Sequence, residues 1–419
     1  EAILNRIAVR KVRFRDRYSR LDGIDEIVAH TGASQKFMPG IRLERQGDVR
    51  HCQGTVLAEW AALSKDGQQK MKGTSVFVLA AGGLVWRATE QGVLSPGQGA
   101  AYEPWATWRR DVTDGPLALV RAAILAANPH NTQPWLFQVG ASRVTLRADP
   151  ARSLGAFDPY RREMHVGLGC ALENMARAAR AIGYEAAVTL AGGPLAGPAS
   201  PPSPTPVATL DLTPARPRPD ALFDAIGRRH TDRGAYDAGR PVPSEVLEAM
   251  CETFKEDLDV RLFLFTAPAE RAQFGAAVVA ATAAIVADAP MVADSQRWFR
   301  HRRADVERLR DGLTLDAAGL SPLVTAAAKI LPPASPETSH RYWLDATRDV
   351  QVPTTPLFGF IATRELYDRG LALRAGRLWQ RLHLLATSRG LASQPINQPV
   401  EMVDRERVLG RTPRRRWPR

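Results

Sequence analysis

The sequence predicts an α+β protein with an internal duplication, and three observations carry that prediction. Short stretches of alternating apolar and polar residues read as strands at 41–45, 56–60, 135–139 and 144–148. A long amphipathic helix is expected over 169–183, with Leu172, Met175, Ala176 and Ala179 on one face and Gly183 as its stop. Residues 376–390 repeat that helix, and Gly376 and Gly390 stand as far apart as Gly169 and Gly183.

Length and composition set the frame. At 419 residues the chain can hold two or three domains, and its apolar share suits a buried core. The net charge of +12 comes mostly from Arg and is spread along the sequence, apart from a basic tail at 411–416. Nucleic-acid binding would want a basic face interleaved with aromatics, and neither an RNP-like nor a helix-turn-helix pattern is present, so no nucleic-acid partner is expected. Cys52, Cys170 and Cys251 lie far apart with no metal-ligand spacing, which reads as free thiols in a reducing, cytoplasmic setting. The glycine-softened apolar run at 76–85 is about half of the roughly 20 residues that a spanning helix needs, so no membrane span is expected. The charged opening at 1–17 is unlike a signal peptide, and the missing initial Met reads as a fragment.

Taken in order, residues 1–80 read as a small meander of strands, with Lys65-Asp66-Gly67-Gln68 as a hairpin turn before the strand at 73–78. His51 and Cys52 read as ordinary strand residues. Glycines and prolines cluster over 81–115, which reads as a linker. An apolar run at 117–127 places Leu117, Val120, Ile124 and Leu125 at helical spacing, and Pro129 forces Asn128 out of the helical region. The polar loop Asn128-Pro129-His130-Asn131-Thr132-Gln133-Pro134 follows, and such loops between a helix and a strand are good places for a site. Gly167-Leu168-Gly169 fails as a dinucleotide fingerprint because its sixth position is Leu172, so close packing at a helix start is the expected role of these glycines. Prolines at 194, 198, 201, 202, 204 and 206 mark a stiff connector. GxSxG, Walker and HExxH patterns are absent.

The wording AANPHNTQPWLF at 126–137 resembles the flavin loop of the nitroreductase superfamily, and the residues after it resemble its Acg-like, actinobacterial branch. Phe223-Asp224-Ala225-Ile226-Gly227-Arg228-Arg229-His230-Thr231-Asp232-Arg233 is similar to the motif that opens such a domain and binds the flavin phosphate. PGIRLERQGDVRHCQGTVLAEW and GTSVFVL resemble part of a SnoaL-like, NTF2-type domain. The resemblance implies two nitroreductase-like halves, 116–212 and 213–419, forming a pseudo-dimer, with a long insertion that includes 284–303 and 310–320 folded over the flavin as a lid. It also implies a further strand after Gly410, where the sequence instead reads RTPRRRWPR.

From the same resemblance, FMN is the expected cofactor, in one site completed by both halves. Planar guanidinium forks from Arg229 and Arg233, with Arg228, His230 and the Thr231 hydroxyl beside them, suit an anionic phosphate. The amides of Asn131 and Gln133 offer donors and acceptors to the pyrimidine edge of the ring, with Pro129 and His130 alongside. His130 fits a packing role equally well. The expected activity is NAD(P)H-dependent reduction of nitro or quinone compounds by a monomer or weak homo-oligomer, the flavin carrying the chemistry. Two rivals are a flavin-sequestering protein of the same fold and a non-enzymatic basic binding protein.

Overall fold

The computed structural model describes residues 13–15, 20–22, 39–52, 55–78, 86–109, 115–198 and 203–411. It divides into two compact units, Glu1–Leu94 and Ser95–Arg419. The mixture of helices and antiparallel sheets is the α+β class that the alternation and periodicity predicted.

In the first unit, β1 (Arg13–Arg15) pairs with β2 (Arg20–Asp22), and β3 (Arg42–Cys52), β4 (Thr55–Leu63) and β5 (Gln69–Val78) form an antiparallel meander. The β4–β5 turn is the one read from the sequence. Gly67 takes a positive φ of 80°, and its N–H donates to Ser64 O at 2.9 Å. The side chains of His51 and Cys52 lie outside the described residues, as does the backbone at 79–85.

The second unit begins inside the stretch that composition marked as a linker. Helix α1 (Glu103–Thr107) is followed by Trp108, which packs edge-on against Phe223 at 5.2 Å, so aromatic anchors override the glycine-rich local signal. Helix α2 (Leu117–Ala123) is shorter than the apolar run. Leu125 and Ala126 donate to carbonyls three residues back, which tightens the last turn, and Asn128 is extended, as Pro129 requires. Leu119, Ala122, Ala123 and Leu125 are buried, while Leu117 is exposed.

Strands β6 (Trp135–Val139) and β7 (Arg143–Ala148) stand where the sequence placed them. They join β9 (Thr205–Pro214) and β8 (Tyr184–Leu190) in a four-stranded antiparallel sheet ordered β6-β7-β9-β8. Helix α3 (Arg162–Ile182) crosses this sheet and starts a full two turns before the expected residue. Asp158 makes that early start possible by accepting from the N–H groups of Glu163 and Met164. Leu168, Leu172 and Met175 are fully buried against α2 and β7, each contributing about 1.5–3 kcal/mol.

Beyond α4 (Ala221–Ala225) and α5 (Ser244–Glu252), β10 (Val260–Phe265) pairs antiparallel with β13 (Phe358–Thr363), so the whole of 266–357 is an insertion in one hairpin. It holds α6 (Pro268–Val286), α7 (Ala289–Gln296), β11 (Phe299–Arg300), α8 (Arg303–Leu309), β12 (Leu313–Thr314), α9 (Pro322–Ile330) and α10 (Pro336–Ala346). Helix α6 is the one described helix long and apolar enough to cross a membrane by length and composition. Its Ala281 and Ile285 are buried with Met291 and Met402 in a second core. Helices α11 (Arg369–Ser388) and α12 (Gln398–Val408) complete the unit.

Helix α11 lies against α3, and the reason is in the glycines. A Cβ on Gly169 would collide with Leu373 O and stand 3.0 Å from Gly376 Cα, while one on Gly376 would run into Val166 of α3. These glycines serve a helix crossing two turns into α3, not the helix start that the sequence suggested. The crossing is pinned by a buried polar chain: Gln380 Nε2 donates to Asn174 Oδ1 at 2.9 Å, and Asn174 Nδ2 donates to Ala122 O at 2.8 Å. Glu173, 1% exposed, accepts from Arg177, Arg377 and Arg381. Burial works against its charge, but the three guanidiniums prevail and hold its carboxyl below the usual range.

Candidate functional site

A cavity of about 1780 Å³ opens within the second unit, bounded by the 128–130 loop, the start of α3, the segment after α4, the insertion and α11. It exceeds the roughly 300–1,000 Å³ typical of a single small-ligand pocket, so it has room for a cofactor and a second molecule.

Two segments singled out in the sequence meet at this cavity, and α11 holds both. Gln380 Oε1 accepts from Ala127 N at 3.4 Å, immediately before the loop, and His383 Nε2 donates to His230 O at 3.1 Å. Burial, with Arg229 close by, pushes His383 well below its ordinary pKa, which keeps the ring neutral in that role. Gln380, His383 and Asn174 carried no motif in the sequence. The only signal was that polar residues fall on the buried face of two otherwise apolar helices.

The loop has an unusual backbone. His130, Asn131 and Gln133 all have positive φ, at 48°, 52° and 52°. Such a conformation is uncommon outside glycine and persists where surroundings enforce it. Here the enforcement comes from Gln133 N donating to Asn128 Oδ1 at 2.8 Å and from the insertion. Gly312 N donates to Asn131 O at 2.9 Å, Asn131 Nδ2 donates to Gly312 O at 3.2 Å, and Gln133 Nε2 donates to Arg310 O at 2.6 Å. Below them, Asp311 accepts from Arg152 and Arg300, and both guanidiniums lie over Trp298.

The expected site residues therefore divide. Pro129, His130, Thr231 and Arg233 line the cavity. His130 packs on Phe157 and meets Ser295 Oγ at 2.8 Å, and burial, with Arg233 nearby, pushes it down to about 3, so it is a neutral wall residue. Arg233 Nη1 donates to Ala317 O at 2.9 Å and has no carboxylate partner among the described residues. Asn131 and Gln133 are not on the cavity wall and turn their amides to the insertion. Arg228 and His230 are exposed. Arg229 is 4% exposed and is not on the wall: it donates to Leu125 O at 3.1 Å, lies over Trp105, and its Nε and Nη1 have no partner among the described residues. Burial lowers Arg229 to about 10, which leaves it a cation at neutral pH.

These features suit an anionic group. Arg233 lines the cavity with Thr231 and has no carboxylate partner among the described residues, and behind the wall Arg229 is a second such guanidinium, with orphaned buried N–H groups. Apolar and aromatic residues, among them Phe358, Phe360 and Trp379, also line the cavity. Among the described residues no cluster of His, Cys, Asp or Glu could hold a metal ion.

No protein family's model matches the chain. Over 289 residues it is 29% identical to two proteins of Mycobacterium tuberculosis, named "Putative NAD(P)H nitroreductase MT3217" (strain CDC 1551 / Oshkosh) and "Putative NAD(P)H nitroreductase Rv3131" (strain ATCC 25618 / H37Rv), the match spanning 67% of this chain and 75% of each relative. That similarity supports kinship with the nitroreductase superfamily, to which the flavin-loop wording at 126–137 had pointed.

Proposed function

We propose that the chain is an FMN-binding, nitroreductase-like oxidoreductase of the tandem, Acg-like kind, passing hydride from NAD(P)H through the flavin to nitro or quinone acceptors. The observation that carries this reading is the convergence of two distant segments, 128–130 and 231–233, on one cavity lined by both arginine and aromatic side chains. Thr231 and Arg233 would hold the phosphate, with Arg229 adding positive potential next to them. Asn128, Pro129 and His130 would wall the ring. FMN, once bound, supplies reversible hydride transfer, and the protein's part is position and electrostatics.

The pseudo-dimer reading draws support from two runs of the same form, α2-β6-β7-α3 and α5-β10-β13-α11, whose long helices meet at Gly169 and Gly376. The first unit would then be a partial NTF2-type appendage, and the protein would work in a reducing compartment as a monomer or weak homo-oligomer. A second reading, flavin sequestration without turnover, is favoured by the insertion's hydrogen bonds to Asn131 and Gln133, which keep it over the loop.

Titration of the purified chain with FMN tests the proposal, followed by addition of NADH or NADPH. Binding with bleaching of the flavin absorbance is expected. Binding without bleaching selects sequestration, and a chain that takes up no FMN rejects both. Arg233→Ala should weaken FMN binding about ten- to a hundred-fold, the worth of one hydrogen bond to a charged group.

A further inference from the structure

The first turns of α3 and α12 each place a buried glutamate in the cavity wall. Glu163 is 4% exposed and Glu401 5%, and both line the cavity. Arg162, next to Glu163, donates through Nε to Asp404, one turn beyond Glu401, so the starts of the two helices are joined at this point. Glu163 Oε1 and Glu401 Oε2 have no donor among the described residues. Two ionised carboxylates offer only acceptors, so a bond between them requires a proton.

The surroundings favour that proton. Arg162 Nη2 stands 3.6 Å from Glu163 Oε1, and its Nε donates to Asp404 Oδ2 at 3.0 Å. Asp158 caps α3 at the same place, and Asp404 also accepts from the Tyr367 hydroxyl at 2.9 Å, with Arg407 over the Tyr367 ring. One guanidinium thus stands among four carboxyl groups. Burial, with Asp158 beside it, pushes Glu163 up to about 7, and burial together with Glu163 raises Glu401 well above its ordinary value. A carboxylic acid kept neutral near neutral pH is a competent proton donor.

The pair is also close to the loop. Glu163 lies one helical turn, about 6 Å of rise, before Gly167, where a Cβ would be 3.0 Å from Pro129 Cδ and 3.1 Å from Asn128 Cβ.

We propose that Glu163 and Glu401 share one proton and deliver it to the acceptor as it is reduced in the cavity. This rests on the reductase reading above. With FMN bound, a quinone-class acceptor would receive two electrons and one proton as a hydride equivalent originating from NAD(P)H. Its oxygen takes the second proton as the glutamate O–H bond breaks, which completes the hydroquinone. A nitro group treated in the same way gives the nitroso compound and water. The pair is left as two carboxylates and regains one proton from solvent.

Two readouts test this on the FMN-loaded chain, with Glu401→Gln and Glu163→Gln as independent variants. Glutamine keeps the volume and can donate to the remaining carboxylate but carries no transferable proton. Infrared difference spectroscopy between about pH 5 and 9 should show a buried carboxylic-acid carbonyl band in the wild type, titrating near the raised Glu163 value of about 7 and absent from either variant. Oxidation of the pre-reduced protein by a quinone should slow in the wild type as pH rises through that range. In the variants it should be about a hundred-fold slower and independent of pH there, in line with the usual worth of a general acid. A wild type without the band refutes the shared proton. Variants that lose the band but keep the wild-type pH profile refute proton delivery. A chain that binds no FMN overturns the reductase reading and delivery with it, whereas the infrared band is read on the apoprotein all the same.

Discussion

Replacing Gly376 with alanine tests the crossing on which both site segments depend. On the exposed surface of a helix this change stabilises, because alanine is favoured over glycine by about 0.8–1.0 kcal/mol. At Gly376 the added Cβ would stand 2.8 Å from Val166 C and 2.9 Å from Val166 Cα, against the 3.4 Å at which ordinary contact begins, and closer still to Val166 O. All three atoms are backbone of α3, so no side chain can swing aside. Relief requires the helices to separate by more than half an ångström, which stretches the Gln380–Asn174 bond and loosens the contacts of Leu373. Overpacking of this kind costs about 1–3 kcal/mol, and because the helix-propensity gain is smaller the net effect is destabilising. That is a large share of the roughly 5–15 kcal/mol that holds a domain together. Gly192 is the control, since nothing lies within 4 Å of its added Cβ. Urea unfolding followed by circular dichroism should show a lower midpoint for Gly376→Ala and an unchanged one for Gly192→Ala. Equal or greater stability for Gly376→Ala would refute the close-crossing argument.

Asp158 and Glu163 are both raised by burial, to about 6 and about 7, so the stability they contribute is complete below their unfolded values of 3.8 and 4.5 and is lost as pH climbs through the raised ones. The stability difference between wild type and Glu163→Gln should therefore shrink or reverse from about pH 5 to 8, as read from paired thermal melts; a difference constant with pH would show that Glu163 ionises freely in the folded chain. Asn131→Ala removes the Nδ2 bond to Gly312 O and puts alanine at a φ of 52°. Losing one neutral hydrogen bond, about 0.5–1.5 kcal/mol, should speed proteolytic cutting within 310–320 about two- to ten-fold, and an unchanged cutting rate would mean that the insertion is held elsewhere.

What the sequence disclosed was local. Pro129 announced the extended Asn128, the alternation at 135–139 and 144–148 announced β6 and β7, and Gly183 announced the end of α3, where φ is 98°. Each of these depends on residues within one turn or one strand. The failures were tertiary. Leu117 has the right spacing for a buried face yet points outward, because α2 packs through Leu119, Ala122 and Ala123 on α3. The burial of Arg229 over Trp105 depends on α1, which the glycine-rich composition had hidden. Glu163 and Glu401 lie in different helices and gave no sign of each other in the sequence. Nothing local marks a residue whose partner is far along the chain.

The amides of Asn131 and Gln133 show that a motif can suggest a chemistry and stay silent about geometry. Their wording suited a flavin edge, and the structure gives each amide a partner in the insertion instead. The two uses do not exclude each other. An amide has two N–H donors and a carbonyl oxygen with two lone pairs, and each side chain here spends a single N–H on Gly312 O or Arg310 O. Among the described residues the remaining N–H and the oxygen have no hydrogen-bond partner, so a ring edge could be met without releasing the insertion if the loop turned only slightly. In that case ligand and insertion would bond the same side chains from two sides, and each would reduce the freedom the other has to restrain. The consequence is reciprocal: an FMN that engages Asn131 must tighten the hold on 310–312 by the same factor by which that hold tightens FMN. Cutting within 310–320 should then slow when FMN is added to the wild type and respond less in Asn131→Ala. Acceleration by FMN would mean that the ring displaces the insertion from the loop.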